Sequence, residues 1–103
     1  MISPQQNNTI INKKHPRYVR NPKIAERSID DSVFLVDCDT DIVFYLNPLS
    51  TGIWQLLSDP LSAPDVTNIV QQAFPDLPPD EIAGDVSRLI SDMSKKNLVL
   101  NVD

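Results

Sequence analysis

The chain has 103 residues, enough for one domain with a single modest core. Its formal net charge of −5 is unevenly spread: residues 1–27 hold six Lys and Arg against one Glu, and residues 28–61 hold six Asp and no cation. The acidic body argues against binding to a phosphate backbone, which needs clustered cations on the docking face. We interpret the basic leading arm as a solvated tail, with an anionic partner for it as the open alternative.

The single cysteine, Cys38, excludes an internal disulfide framework and suits a reducing compartment. No apolar run approaches the roughly 20 residues that span a bilayer. The N-terminus begins with polar residues and lacks the apolar core of a signal peptide. These observations predict a soluble, cytoplasmic protein.

The first half of the chain reads as an arm followed by strands. Residues 1–22 are polar, basic and broken by three prolines, which predicts a flexible arm before a domain over residues 23–103. Two strands are predicted at 24–29 and 32–37, and a polar turn leads from the second into a third at 41–46, making a hairpin. Both faces of this third strand are apolar, so it lies either inside a sheet or at an edge that lacks a partner.

Helices follow directly. Asn47 offers a side-chain N-cap and Pro48 fits the first position of a helix predicted over residues 48–58. A second helix is predicted to begin at Ser62, which forms a capping box with Asp65 three positions further on.

A third helix begins at the Pro78-Pro79 pair and ends near Lys96, with Asn97 as a suitable residue beyond its C-terminus. Residues 98–102 alternate as a short C-terminal strand. The sequence therefore predicts an α+β fold that is winged-helix-like, with a three-stranded antiparallel sheet followed by three helices.

The residues do not assemble a catalytic site. His15, the only histidine, lies beside two lysines in the arm and indicates a surface residue. Three aspartates flank Cys38 in the hairpin turn, but the turn lacks the Gly and Glu of a calcium loop, so a solvated turn is favoured over a metal site. Without a nucleophile, base and orienting group together, the sequence predicts a protein that is not an enzyme and needs no metal or cofactor.

Three short motifs follow one another in a characteristic order: YLN at 45–47, IWQLL at 53–57 and DV at 85–86. In their order and spacing these motifs resemble the PqqD family, which includes coenzyme PQQ synthesis protein D and the recognition domains for ribosomally made, modified peptides. The similarity covers about residues 24–100. Asp59-Pro60 stands where many members have Asp-Gly, and the second strand lacks the Leu-Tyr-Pro-Glu-Gly sequence of the PQQ pathway proteins.

The resemblance implies three strands backed by three helices. It also implies that the leader of a precursor peptide adds as a strand beside the third strand, in a groove walled by the third helix. Backbone groups of residues 41–45 suit such an addition, and side chains of the helix would select the leader. The apolar helix residues are equally expected in a plain core. The predicted peptide-binding residues are Asp41, Ile42, Val43, Phe44, Tyr45, Asp85, Arg88, Leu89, Asp92, Met93 and Lys96.

The resulting functional prediction is a non-catalytic peptide chaperone that presents a leader to a separate modifying enzyme, such as a radical SAM protein, a leader peptidase or a cyclase. Two other functions stay open, a winged-helix DNA-binding protein and a structural subunit of an enzyme complex. Asp85 and Asp92 in the last helix disfavour DNA binding. The open strand edge predicts a monomer or a weak, strand-exchanged homodimer.

Overall fold

The computed structural model describes residues 15–102, and residues 1–14, the larger part of the predicted arm, lie outside them. No helix of the described part is both long and apolar enough to cross a membrane. The elements follow in the order β1 (Arg17–Arg20), β2 (Ile24–Ile29), β3 (Ser32–Asp37), β4 (Ile42–Leu46), α1 (Pro48–Leu56), β5 (Leu61–Ser62), α2 (Ala63–Ala73), α3 (Pro79–Lys95) and β6 (Val99–Val102).

Strands β2, β3 and β4 form an antiparallel sheet in that order, followed along the chain by three helices. The α+β fold predicted from the sequence is confirmed. Strand β4 begins one residue later than expected, because Asp41 adopts a φ of 60° in the turn. Helix α1 ends at Leu56, two residues earlier than expected.

A second antiparallel sheet has the order β5-β1-β6, and its central strand was not expected. Arg17–Arg20 fall within the predicted flexible arm, and the structure places them in a strand instead. Their partners are Leu61–Ser62 and Val99–Val102, more than 40 residues further along the chain. Pairing between such distant segments leaves no local signal in the sequence. The prolines around the strand do leave a local signal, and that signal favours an irregular arm.

The predicted N-caps of the first two helices are confirmed. The side chain of Asn47 accepts a hydrogen bond from the backbone N–H of Ser50 at 2.8 Å. At the start of α2, the Ser62 hydroxyl accepts from the backbone N–H of Asp65, and the Asp65 carboxylate accepts from the backbone N–H of Ser62. Each cap satisfies donors that a helix start otherwise leaves unpaired, and each fixes the direction in which its helix leaves the preceding strand.

Helix α3 ends in a left-handed residue, as the sequence predicted. Asn97 has a φ of 59° and donates its N–H to the carbonyl of Ser94 at 3.0 Å. Leu98 donates to the carbonyl of Met93 at 2.9 Å. These two bonds form the Schellman arrangement, which satisfies the last carbonyls and turns the chain directly into β6.

One hydrophobic core joins the first sheet, the three helices and the C-terminal strand. Helix α3 contributes one apolar stripe, α1 contributes its inner face, and each sheet contributes the side chains that point toward the helices. The buried apolar residues of this core are Ile24, Leu35, Leu46, Ile53, Trp54, Leu57, Val66, Val70, Ile82, Val86, Ile90, Met93, Leu98 and Val99.

Trp54 connects three elements through its polar edge and its ring face. Its indole Nε1 donates to Oε1 of Glu26 on β2 at 2.8 Å. The guanidinium of Arg20 on β1 lies over the ring, 5.0 Å from the centroid, and its Nε donates to the carbonyl of Trp54 at 2.8 Å. The buried indole thus has its donor satisfied, and both sheets are tied to α1.

The Asn47 cap can be tested by replacement with Ala and with Asp. We expect Asn47→Ala to lower the free energy of unfolding by about 1 kcal/mol, because the N–H of Ser50 loses its acceptor. Asn47→Asp keeps an acceptor at the cap and should stay within about 0.5 kcal/mol of the wild type. Urea unfolding followed by far-UV circular dichroism gives both values, and equal losses in the two variants would contradict the capping role.

Candidate functional site

Strand β4 lies at an edge of the first sheet, with β3 on one side and no strand of the described residues on the other. The sequence left open whether this strand is central or at an edge, and the structure places it at the edge. The other edge strand, β2, carries Glu26 and Arg27, whereas β4 (IVFYL) has no charged residue. Charged residues and prolines protect natural sheet edges from pairing with another strand. The β2 edge is therefore protected, whereas the β4 edge is open to pairing.

The side chains of β4 alternate between two faces. Phe44 and Leu46 point toward the helices, where Leu46 is buried and Phe44 half-buried against the core. Val43 and Tyr45 point outward and are 57% and 60% exposed. The ring of Tyr45 packs at 5.6 Å from that of Phe34 on β3. The outer face of the edge therefore stays apolar and accessible.

The turn before β4 determines which of its backbone groups face the open edge. Asp41, at a φ of 60°, donates its N–H to the carbonyl of Asp37 at 2.7 Å, and this i-to-i+4 bond closes a four-residue hairpin loop. The ladder then begins at the pair of Asp37 and Ile42, and bonded and non-bonded pairs alternate along it. Ile29 and Ser32 flank a two-residue hairpin loop and therefore form a bonded pair, so alternate residues of β3, including Asp37, bond to β4. Ile42 is the bonded partner of Asp37, and the N–H and C=O groups of Val43 and Tyr45 therefore face the open edge, where an added strand can reach them.

The C-terminal part of α3 lies beside β4. The ammonium of Lys96 is 5.6 Å from the ring centroid of Phe44, and it binds Oδ2 of Asp92 at 2.9 Å. Leu89 is half-buried and packs against the core, while Met93 is only 3% exposed. The structure thus brings Phe44, Asp92 and Lys96 together, and it places the Met93 side chain within the core.

Two further predicted site residues lie toward the other end of α3. Asp85 and Arg88 form an ion pair, with the two terminal guanidinium nitrogens of Arg88 within 3.1 Å of one Asp85 oxygen. At 1.5 Å per residue, Asp85 is about 16 Å along the helix from Lys96. The predicted residues of α3 therefore form two ion pairs, one at each end of the helix face that was predicted to border the peptide.

A cavity between the three helices was not predicted. It has a volume of about 640 Å³, and we call it the helical groove. Phe74 and Leu77, at the α2 end and in the following turn, are 54% and 47% exposed. The sequence signal that could have indicated this groove is the pair of apolar residues, Phe74 and Leu77, on either side of Pro75 at the end of α2. The lining includes Leu49, Leu56, Ile69, Phe74, Leu77, Glu81, Ile82 and Asp85.

Within residues 15–102, no three His, Cys, Asp or Glu side chains are grouped closely enough to hold a metal ion. In the turn between β3 and β4, the Asp37 carboxylate accepts the N–H of Asp39 at 3.0 Å. The Asp39 carboxylate lies 3.7 Å from the ammonium of Lys23, and Cys38 is an exposed free thiol. These carboxylates are engaged by the chain itself.

Two solved structures share this fold. One is TbiB1 in complex with the TbiA(beta) leader peptide, with a TM-score of 0.71 and 18% sequence identity over 82% of this chain and 98% of that chain. The other is lasso peptide synthetase B1 complexed with the leader peptide, with a TM-score of 0.69 and 20% identity over 81% of this chain and 96% of that chain. At these identities the likeness establishes a common fold.

The sequence has no significant match among the curated proteins. The sequence model of the family described as coenzyme PQQ synthesis protein D (PqqD) matches residues 32–99, more than half of the chain. The matched part begins at β3 and ends in β6, so it includes the open edge, all three helices and the turn into the last strand. The resemblance seen in the short motifs is confirmed, and the chain belongs to the PqqD family.

Proposed function

We propose that this chain binds the leader of a ribosomally made precursor peptide as an added strand on β4 and presents it to a separate modifying enzyme, without catalysing a reaction itself. The open edge of β4 carries the proposal. Its outward N–H and C=O groups at Val43 and Tyr45 can bond to any extended peptide, which gives affinity with little dependence on sequence. The likeness to two proteins solved with leader peptides supports this assignment.

Selection among peptides comes from side chains around the edge. Leu89 and Phe44 offer an apolar surface between β4 and α3, and Lys96 with Asp92 offers charge at its end. An ammonium at this position favours a leader carboxylate and so fixes the register of the added strand. The proposed peptide-binding residues are Asp41, Ile42, Val43, Phe44, Tyr45, Asp85, Arg88, Leu89, Asp92 and Lys96, whereas Met93, predicted with them, is 3% exposed and lies in the core.

The partner in this proposal is an enzyme that modifies the bound peptide, such as a radical SAM protein, a leader peptidase or a cyclase. We place the reaction in the cytoplasm, where the exposed free thiol of Cys38 stays reduced. The DNA-binding alternative gains little from α3, since Asp85 and Asp92 lie beside Arg88 and Lys96 and leave the helix without the cluster of cations that a phosphate backbone needs. Strand exchange between two copies at β4 would compete with the leader for the same backbone groups.

The strand addition is tested at Val43. We expect Val43→Pro to raise the Kd for a fluorescein-labelled leader peptide, encoded beside this chain's gene, by about tenfold or more. The reason is that proline removes the outward N–H, and an edge position tolerates proline without loss of the sheet. Val43→Ala is the matched control, because it removes side-chain surface but keeps the N–H, and it should bind within about threefold of the wild type.

Fluorescence anisotropy measures the affinities, and far-UV circular dichroism checks that both variants are folded. Equal binding by Val43→Pro and the wild type would show that the leader does not pair with β4. The absence of any affinity for the free leader, together with co-purification of the enzyme, would instead favour a structural subunit.

The role of the Lys96 charge, at the end of the surface between β4 and α3, is tested by substituting two neighbouring lysines. Lys96→Ala should weaken leader binding by about two- to fivefold, since an exposed ion pair contributes little more than this. Lys95→Ala makes the same chemical change one residue away and should leave the affinity within about 1.5-fold. The difference between the two variants should shrink as salt is raised. A salt-independent loss, or an equal loss in both, would remove Lys96 from the site.

A further inference from the structure

The helical groove has a distinctive chemistry. Most of its lining is apolar, and Phe74 and Leu77 expose much of their side chains there. Among residues 15–102, its only charged lining residues are the carboxylates Glu81 and Asp85. A contiguous exposed apolar patch with a few polar groups often marks a site where another molecule binds.

The sequence around the groove is strongly acidic. Residues 28–87 hold eleven Asp and Glu and no Lys or Arg. The first cation after this stretch, Arg88, is paired with Asp85, while Glu81 takes part in no ion pair among residues 15–102. An occupant that suits the groove is therefore apolar and positively charged.

We propose that the helical groove binds the chain's own residues 1–14. This segment contains adjacent apolar residues, Ile10 and Ile11, followed closely by Lys13 and Lys14, and it has no acidic residue. The isoleucines match the apolar lining, and the lysines match the carboxylates. This inference goes beyond peptide binding at β4 and does not depend on it.

The connection to β1 places the segment within reach. Arg17 pairs with Ser62 in antiparallel register, so the chain before Arg17 leaves the sheet beside the start of α2. Ile69, in the groove lining, lies about 10 Å along α2 from Ser62. Ile11 precedes Arg17 by six residues, which span up to about 20 Å when extended. The extended reach of the segment therefore exceeds the distance along α2 to the groove.

The tether also makes a weak contact effective. A covalent link of a few residues holds the segment near the groove, and tethers this short give effective concentrations in the millimolar range. A groove that binds a free peptide of this sequence only weakly is thus occupied by the attached segment. Binding of the segment in the helical groove would also bring positive charge close to Asp85, a residue that belongs to the proposed leader site as well.

The test uses the full chain, labelled with ¹⁵N, and compares amide shifts between variants of the segment. Replacing both Ile10 and Ile11 with Ser removes the apolar contact without changing charge, and we expect shift changes confined to the amides of the helical groove. Replacing both Gln5 and Gln6 with Ser is the matched control and should leave those amides unchanged. The variants alter no residue of the described fold.

A reciprocal variant tests the groove side. Phe74→Ser removes an exposed apolar side chain, so the fold should survive, and we expect it to shift the amides of Ile10, Ile11 and Lys13. Groove amides that do not respond to the isoleucine replacements would overturn the proposal.

Two other outcomes also contradict it. Shifts at Ile42–Leu46 would mean that the segment lies on the β4 edge, and shifts that grow with protein concentration would mean that the groove takes the arm of a second copy. Groove amides that respond to added leader peptide but not to the isoleucine replacements would assign the groove to the leader.

Discussion

The indole of Trp54 is the junction on which the rest of this structure depends. Its N–H is held by Glu26 on one sheet, and its ring and carbonyl are held by Arg20 on the other. Helix α1, which carries it, follows β4 after the single residue Asn47, so the position of α1 sets where β4 ends. Two sheets that share no strand are thereby fixed relative to one helix.

That arrangement explains how an open edge can persist in a stable domain. The inward side chains of β4 are anchored by the core, and Leu46 is buried where the strand meets α1. The edge therefore does not need a partner strand to hold its shape, and its backbone groups stay in register while unpaired. A preformed edge lowers the ordering cost of binding, because only the incoming peptide loses conformational freedom.

Much of the first sheet and of the helices was predictable from the sequence, because their signals are local. The β-branched and aromatic residues of β3 and β4, the Asn47 cap and the left-handed Asn97 are each signals from residues close together in the chain. The C-terminal strand at 98–102 was predicted and is confirmed as β6, but the pairing of the second sheet was not predictable, since its central strand pairs only with distant segments. The ion pairs Asp85–Arg88 and Asp92–Lys96 follow from the spacing of these residues within one helix, but which pair lies beside β4 depends on how α3 crosses the sheet. The helical groove depends on the packing of three helices, which no periodicity within one helix reveals.

The Schellman turn after α3 has a consequence for the order in which the protein folds. The hairpins of the first sheet join neighbours in sequence and form early, whereas β6 must find β1 across most of the chain. Pairing across that separation is slow to form, and until it forms β1 lacks a partner and Leu98 and Val99 are not yet buried. Unpaired strand edges and exposed apolar side chains are the surfaces on which folding chains associate. By directing the chain from α3 straight into β6, the Schellman turn shortens the search for β1 and with it the time spent with these surfaces uncovered.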